Sequence, residues 1–189
     1  MRLGVLVSGR GSNLEAVLGA GFAVALVISN RRGVRALEIA AVYDVPVLVL
    51  RRADLGGDPS VRDEAIGAAL QSAGVELTVL AGYDQQLRPS YFAAYPGRTI
   101  NIHPSLLPAH GGPRMLGPAV HRSVLDAGDA ESGVTIHEVT PDLDAGAILA
   151  QSRVPVVPGD DPDTLAARVL VEEHRLLVET LAEIAAHRR

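Results

Sequence analysis

Cysteine, tryptophan and lysine are all missing from this 189-residue chain. Without thiols there is no disulfide and no thiolate metal ligand, and the composition fits a reducing, cytoplasmic compartment. Aromatic residues make up 3% of the chain against 48% hydrophobic residues, so the core must be built from Ala, Val, Leu and Ile. All 17 basic residues are arginine, and the formal net charge of -5 argues against nucleic acid as a partner. The missing lysine carries no mechanism by itself. No apolar run approaches the ~20 residues needed to span a bilayer. The opening "MRLGVLVSGRG" is too short and too broken by glycine for a secretory signal. Internal repeats, low-complexity tracts and linkers are absent as well. The expectation is one domain over residues 1–189, long enough for a substantial core.

What is present is an alternation of short apolar runs with helical patterns. "RLGVLV" (2–7), "AVALVIS" (23–29), "VPVLVL" (45–50) and "LTVLAG" (77–82) read as strands covered on both faces, as in parallel sheets. Helical patterns lie between them at about 12–20, 33–43 and 60–73. This rhythm predicts an α/β fold with a doubly wound, mostly parallel sheet and ligands at the carboxyl ends of its strands. After "RTINI" (98–102) come a long Gly/Pro loop, a helix near 118–127 and strands at about 133–138 and 147–154. The alternating "VTIHEV" is a candidate for antiparallel pairing. From "PGDDPDTLAARV" to the end the chain reads as a proline-delimited helix start, with Asp in its first turn and an amphipathic body.

The first strand runs into "SGRGSNLEA". Gly9 and Gly11 permit a tight turn, and Ser12 and Asn13 open a helix whose backbone N–H groups suit an anion. A dinucleotide fingerprint needs a third glycine where Leu14 stands, and "VISNRRG" ends the second strand without a carboxylate for a ribose diol. No G-K-[ST] follows either. A single phosphate group held by Gly11, Ser12 and Asn13 is the functional reading; a turn with a capped helix is the plain alternative.

A second motif is "NIHPSLLPAHGG", 101–112. Asn101 and His103 lie two apart at a strand end and so face the same way, and Pro104 takes the chain out of the sheet. An imidazole titrates near neutrality, and an amide can donate to a developing oxyanion. A structural histidine beside a strand-end asparagine is the competing reading. The loop "VTPDLDAGAIL", 139–149, offers Asp142 and Asp144. A carboxylate from it could orient His103 and favour its charged form. No serine or cysteine has a nucleophile-elbow context, and the six histidines lack zinc-ligand spacing. The expected chemistry is non-covalent and metal-free, with the substrate supplying the nucleophile.

Together these motifs resemble the phosphoribosylglycinamide formyltransferase family, folate-dependent enzymes of purine synthesis. The resemblance covers residues 1 to at least 175 and rests on "SGRGSNLEA", "NIHPSLLP", "DLDAGAIL" and "RVLVEEH". It implies a Rossmann-like formyltransferase fold, with a phosphate-binding βαβ half over 1–100 and a catalytic and folate half, ending in a helix, over 101–189. It further implies that Asn101, His103 and Asp144 are catalytic, and that Gly11, Ser12, Asn13, Pro104, Glu173 and Arg168 bind phosphoribosylglycinamide. The co-substrate would be 10-formyltetrahydrofolate, contacted by Arg62, Asp84, Gln85, Gln86, Leu87, Asn101, Asp142, Leu143 and Asp144. No metal, nucleic acid or membrane is expected, and the chain would be a monomer or homodimer.

Two departures from the family stand out. A Met-Arg/Lys-Ile/Leu-Leu type segment is replaced by Asp84-Gln85-Gln86-Leu87, whose backbone is expected to meet the folate while Leu87 keeps an apolar contact and Asp84 and the glutamines project to solvent; the alternative is that Asp84 faces the pocket and weakens binding. The loop "AHGGPRMLGPAVHRSVL" is long and glycine-rich, either a mobile cover or an inert insertion. The alternatives are a formyltetrahydrofolate hydrolase, a methionyl-tRNA formyltransferase and a phosphate-binding module without catalysis. The tRNA enzyme would need a basic surface and a further domain.

Overall fold

The structure, a computed structural model, describes residues 1–187; Arg188 and Arg189, the end of the segment expected to be helical, lie outside the described residues. Among the described residues, seven strands form one sheet in the order β3 (Val47–Val49), β2 (Val24–Ser29), β1 (Leu3–Val7), β4 (Leu77–Leu80), β5 (Arg98–His103), β6 (Glu131–Glu138), β7 (Ile148–Pro155). The chain divides into two compact units, Met1–Ile100 and the described residues from Asn101 on, each taken by itself below.

The first unit begins with β1 (Leu3–Val7), α1 (Ser12–Gly19), β2 (Val24–Ser29), α2 (Arg35–Val42) and β3 (Val47–Val49). It continues with α3 (Pro59–Ser72), β4 (Leu77–Leu80) and α4 (Pro89–Ala94). β1 pairs in parallel with β2 and β4, and β2 with β3. Every residue of β1 and β4 is buried, as the continuous apolar runs require of central parallel strands. β3 differs. Its place at the end of the strand order leaves Val47 exposed, so "VPVLVL" is an edge strand of three residues. α3 starts where Asp58 accepts from the Ser60 N–H at 2.8 Å and Pro59 sets the first helical turn. The short α4 and a 3-10 turn at Arg52–Leu55 had no clear signal, because six and four residues are too few for a helical period to show.

The second unit holds α5 (Pro118–Ala127), β6 (Glu131–Glu138), β7 (Ile148–Pro155) and α6 (Pro162–Ala186). β6 and β7 are antiparallel, from Glu131 opposite Pro155 to His137 opposite Ile148. The alternation expected for "VTIHEV" is one of residue type only: Ser132 to His137 are all buried, and the half-exposed strand is β7. α6 opens with a reciprocal cap. Asp161 accepts from the Asp163 and Thr164 N–H groups, and Thr164 Oγ1 accepts from the Asp161 N–H at 2.9 Å. Among the described residues, no helix is long and apolar enough to cross a membrane.

Candidate active site

The second unit gathers Asn101, His103 and Asp144. β5 turns Asn101 and His103 to one side, and the loop between β6 and β7 brings Asp144 to them. Asp144 Oδ2 lies 4.0 Å from His103 Nδ1, and Oδ1 lies 3.7 Å from the Nε2 of a second imidazole, His137. The side chains of His103, His137 and Asp144 are 4%, 2% and 11% exposed, so the cluster is nearly closed to bulk water. Asp144 accepts one backbone hydrogen bond, from the Gly112 N–H at 2.8 Å, and holds a left-handed backbone with φ 53°. Asp tolerates that region better than most residues do, and the conformation aims its carboxylate back between the two rings.

Donor and acceptor roles fix both imidazoles. A carbonyl oxygen can only accept, so His103 donates Nε2–H to the His110 carbonyl at 2.9 Å. Its Nδ1 therefore faces Asp144. His137 likewise donates Nδ1–H to the Glu138 carbonyl at 2.9 Å. Its Nε2 then accepts from the Asn101 Nδ2–H at 3.1 Å. That bond also sets the orientation of the Asn101 amide and leaves its second N–H for a ligand.

Asp144 favours the charged form of His103, as expected, but does not outweigh burial. Burial lowers the His103 pKa from its ordinary value; the His110 carbonyl and the Asp144 charge push it back up, and His137 and His110 push it down again. The net direction is down, so near pH 7 the imidazole is neutral with Nδ1 unprotonated.

His137 had been noted only for lacking metal spacing. The missed signal is in "VTIHEV", where Thr135 and His137 repeat the two-residue, one-face spacing of Asn101 and His103 and are both buried. Thr135 holds the loop after Pro104. Its Oγ1 donates to the Ser105 carbonyl at 2.7 Å and accepts from the Leu107 N–H at 3.0 Å. Gln151 donates to both the Leu107 carbonyl and Thr135 Oγ1 at 2.8 Å. Pro104 is half-buried at the start of this loop, whereas Asp142 and Leu143 are exposed in the β6–β7 loop, Leu143 at 40%. Gly146 packs so closely on the Glu138 carbonyl that no Cβ would fit. Among the described residues, no group of three or more His, Cys, Asp or Glu could hold a metal ion.

Glu173 lies half-buried on α6. Arg168, expected at the substrate, is committed to the fold: it donates to the Pro155 carbonyl at 2.9 Å and to both oxygens of Asp160 at 2.8 Å. The turn into α6 is built around that fork.

In the first unit, Gly11 has φ 76° and ends β1's turn as the N-cap of α1. A Cβ there would lie 2.7 Å from the backbone of Ala36, whose N–H donates to the Gly9 carbonyl at 3.1 Å. Only glycine permits this approach of α2 to the turn. No side chain caps α1, so the plain reading of Ser12 and Asn13 as helix caps does not hold.

The departure segment is also in the first unit. Asp84 does not project to solvent. Its Oδ1 accepts from Ser8 Oγ at 3.0 Å, Asn30 Nδ2 at 2.7 Å and Gln85 Nε2 at 3.1 Å, while Arg31 pairs with Oδ2. Ser8 follows β1 and Asn30 and Arg31 follow β2, so the carboxylate joins neighbouring strand ends. Gln85 is half-buried, Gln86 is exposed and Leu87 is in the core at 2% exposure. Arg62, expected at the folate, is 2% exposed; it donates Nε–H to Asp63 at 2.8 Å and Nη1–H to Gln85 at 3.0 Å. A neighbouring buried carboxylate holds this guanidinium in the interior.

Residues 1–181 match the model of the formyl transferase family. The chain is 42% identical over 192 residues to a phosphoribosylglycinamide formyltransferase of Mycobacterium tuberculosis, covering 98% of this chain and 86% of that one. It is 38% identical over 193 residues to the chloroplastic phosphoribosylglycinamide formyltransferase of Arabidopsis thaliana, covering 99% of this chain but only 66% of the longer relative. Among solved structures, glycinamide ribonucleotide transformylase 1 from Symbiobacterium toebii superposes with a TM-score of 0.92 at 39% identity, covering 100% of this chain and 89% of that one. With the match running through both units, the chain belongs to the formyl transferase family.

Proposed function

We propose that this protein transfers a formyl group from 10-formyltetrahydrofolate to the amine of phosphoribosylglycinamide. The observation that carries this reading is the grouping of Asn101, His103 and Asp144 around a nearly dry carboxylate, in a chain whose relatives bear that activity's name. The substrate amine attacks the formyl carbon, and the carbonyl electron pair moves onto oxygen. The free N–H of Asn101 donates to that oxyanion; a donor of this kind contributes roughly 3–4 kcal/mol in the transition state. The attacking nitrogen must lose a proton. His103 Nδ1, unprotonated and facing Asp144, is the base placed to take it, and once charged it becomes a second oxyanion donor supported by Asp144. The oxyanion pair then re-forms the carbonyl as the carbon–nitrogen bond to the folate breaks, and the departing nitrogen keeps that bond's electron pair and takes the proton His103 had accepted. Residues 1–100 carry the phosphate role at Gly11, Ser12 and Asn13, residues 101–189 carry the chemistry, and Glu173 with Pro104 contributes to holding the substrate.

The test is an assay of 10-formyltetrahydrofolate loss with and without phosphoribosylglycinamide. Loss that requires the amine and yields its formylated product supports the transfer. Loss without any amine would identify a hydrolase, and no loss under either condition would reject folate chemistry.

A further inference from the structure

The catalytic imidazole is held from one side by the long glycine-rich loop, and that loop segment has an anchor of its own. His110 has φ 54°, and its ring is fixed at both nitrogens: Nε2 lies 2.7 Å from Asp129 Oδ2 and Nδ1 lies 2.8 Å from Ser123 Oγ. A carboxylate only accepts, so Nε2 carries the proton, and a neutral ring accepts the Ser123 hydroxyl at Nδ1. Asp129 begins the approach to β6 and Ser123 belongs to α5, so the ring ties the loop to two other segments. The backbone of the same stretch reaches the catalytic groups. The His110 carbonyl accepts from His103 Nε2, and the Gly112 N–H donates to Asp144. The Ser105 hydroxyl steadies the region further by donating to the Ala109 carbonyl at 2.8 Å.

We propose that His110, locked by Asp129 and Ser123, is a positioning residue that sets the tautomer of His103 and so keeps its Nδ1 toward Asp144. This rests on the formyl-transfer reading for its effect on rate, though its effect on the imidazole does not. The reason is geometric. The His103 proton sits on Nε2 because a fixed carbonyl waits there; a carbonyl free to swing away would let the proton move to Nδ1, the nitrogen the reaction needs vacant. The loop is thus neither an inert insertion nor only a cover, since residues 110–112 contact two of the three catalytic side chains.

The test uses Asp129→Ala, which removes a side chain that is 44% exposed and outside the catalytic cluster. The readouts are steady-state kinetics of the full chain and nitrogen-15 NMR of the His103 ring without substrates. Asp129→Ala should lower kcat about tenfold, less than the ~10² that a 1 Å misplacement can cost. The KM values should stay within about twofold, as expected when an interaction made in the transition state is lost. The His103 spectrum should lose its pure Nε2–H signature. Asp129→Asn, whose amide oxygen still accepts from His110, should restore most of both. Ser123→Ala should reproduce the shift more weakly, and it serves if Asp129→Ala does not fold. An Asp129→Ala protein with an unchanged His103 spectrum overturns the proposal, whatever its rate. A wild-type protein that transfers no formyl group would reject the proposed function and leave the spectral test standing.

Discussion

Two aspartates at strand-end loops show how differently one side chain is used in the two units. Asp84 in the first unit is saturated: three neutral donors share one oxygen and the Arg31 guanidinium holds the other. Burial raises its pKa, yet the hydrogen bonds from Asn30, Gln85 and Ser8 and the charge of Arg31 outweigh that and leave it below the ordinary carboxylate value. Asp144 in the second unit has one backbone donor and two imidazoles at 3.7 and 4.0 Å, beyond direct hydrogen-bond reach. A carboxylate offers about four lone-pair sites. Asp84 has its sites filled by the fold, whereas Asp144 keeps most of its capacity beside two imidazoles. The first arrangement resists change and the second is ready for it.

The sharpest way to break the comparison is to remove each charge in turn. Asp144→Asn keeps the volume and removes the charge, and kcat should fall on the order of 10³-fold, within the range lost with an acid–base group. The His103 pKa should fall further below its ordinary value, because the Asp144 charge helps to hold it up. An NMR titration of His103 checks this directly. An Asp144→Asn enzyme with full activity and an unmoved His103 titration would place Asp144 with Asp84 among the structural carboxylates.

In the first unit, α1 starts at Gly11 with no side-chain cap. Gly11→Ala puts a Cβ against the Ala36 backbone and shifts the turn. Affinity for the phosphorylated substrate should fall by more than about tenfold, ~1.4 kcal/mol, while affinity for a folate analogue changes much less. Equal losses in titration calorimetry would assign the turn to the fold alone.

The sequence disclosed these regions unequally, for physical reasons. The sheet, with its central strands, was legible because burial on both faces demands unbroken apolar runs. Asn101 and His103 were legible because a strand's two-residue period assigns them one face. Asp84 was misjudged, since a charged residue after a strand looks solvated when its partners, Ser8 and Asn30, are 76 and 54 residues away in sequence. The burial of Arg62 was hidden for the same reason, its partner Gln85 being 23 residues on. His137 and His110 were missed because their roles depend on which ring nitrogen bears the proton, and that follows from acceptor geometry rather than from residue type.

A smaller effect is expected where the support of Asp144 is loosened without removing it. Gly112 donates its N–H from a backbone with φ 89°, where any side chain is strained although the space for a Cβ is open. Gly112→Ala should therefore cost about 1 kcal/mol of local conformational energy and lower kcat several-fold. A kinetic profile identical to wild type would show that the position of Asp144 does not depend on glycine at 112.

The smallest catalytic effect should come from Asp84→Met, which introduces the residue type that the resemblance leads one to expect there. Stability should respond more than chemistry. The substitution strips Ser8, Asn30 and Arg31 of their common acceptor, and each buried donor left unsatisfied costs about 1–3 kcal/mol. Its pH signature follows from linkage. The folded pKa of Asp84 lies below the unfolded value of ~3.9, so its contribution is complete above that pH and is lost as pH falls through the folded value. Wild-type unfolding should therefore show an acid-sensitive component below about pH 4 that the variant lacks. The dissociation constant of a 10-formyltetrahydrofolate analogue should change less than about tenfold, ~1.4 kcal/mol, because the carboxylate is turned into the strand-end network. Much tighter folate binding by the variant, with no loss of stability, would mean that Asp84 opposes the ligand rather than holding the strand ends together.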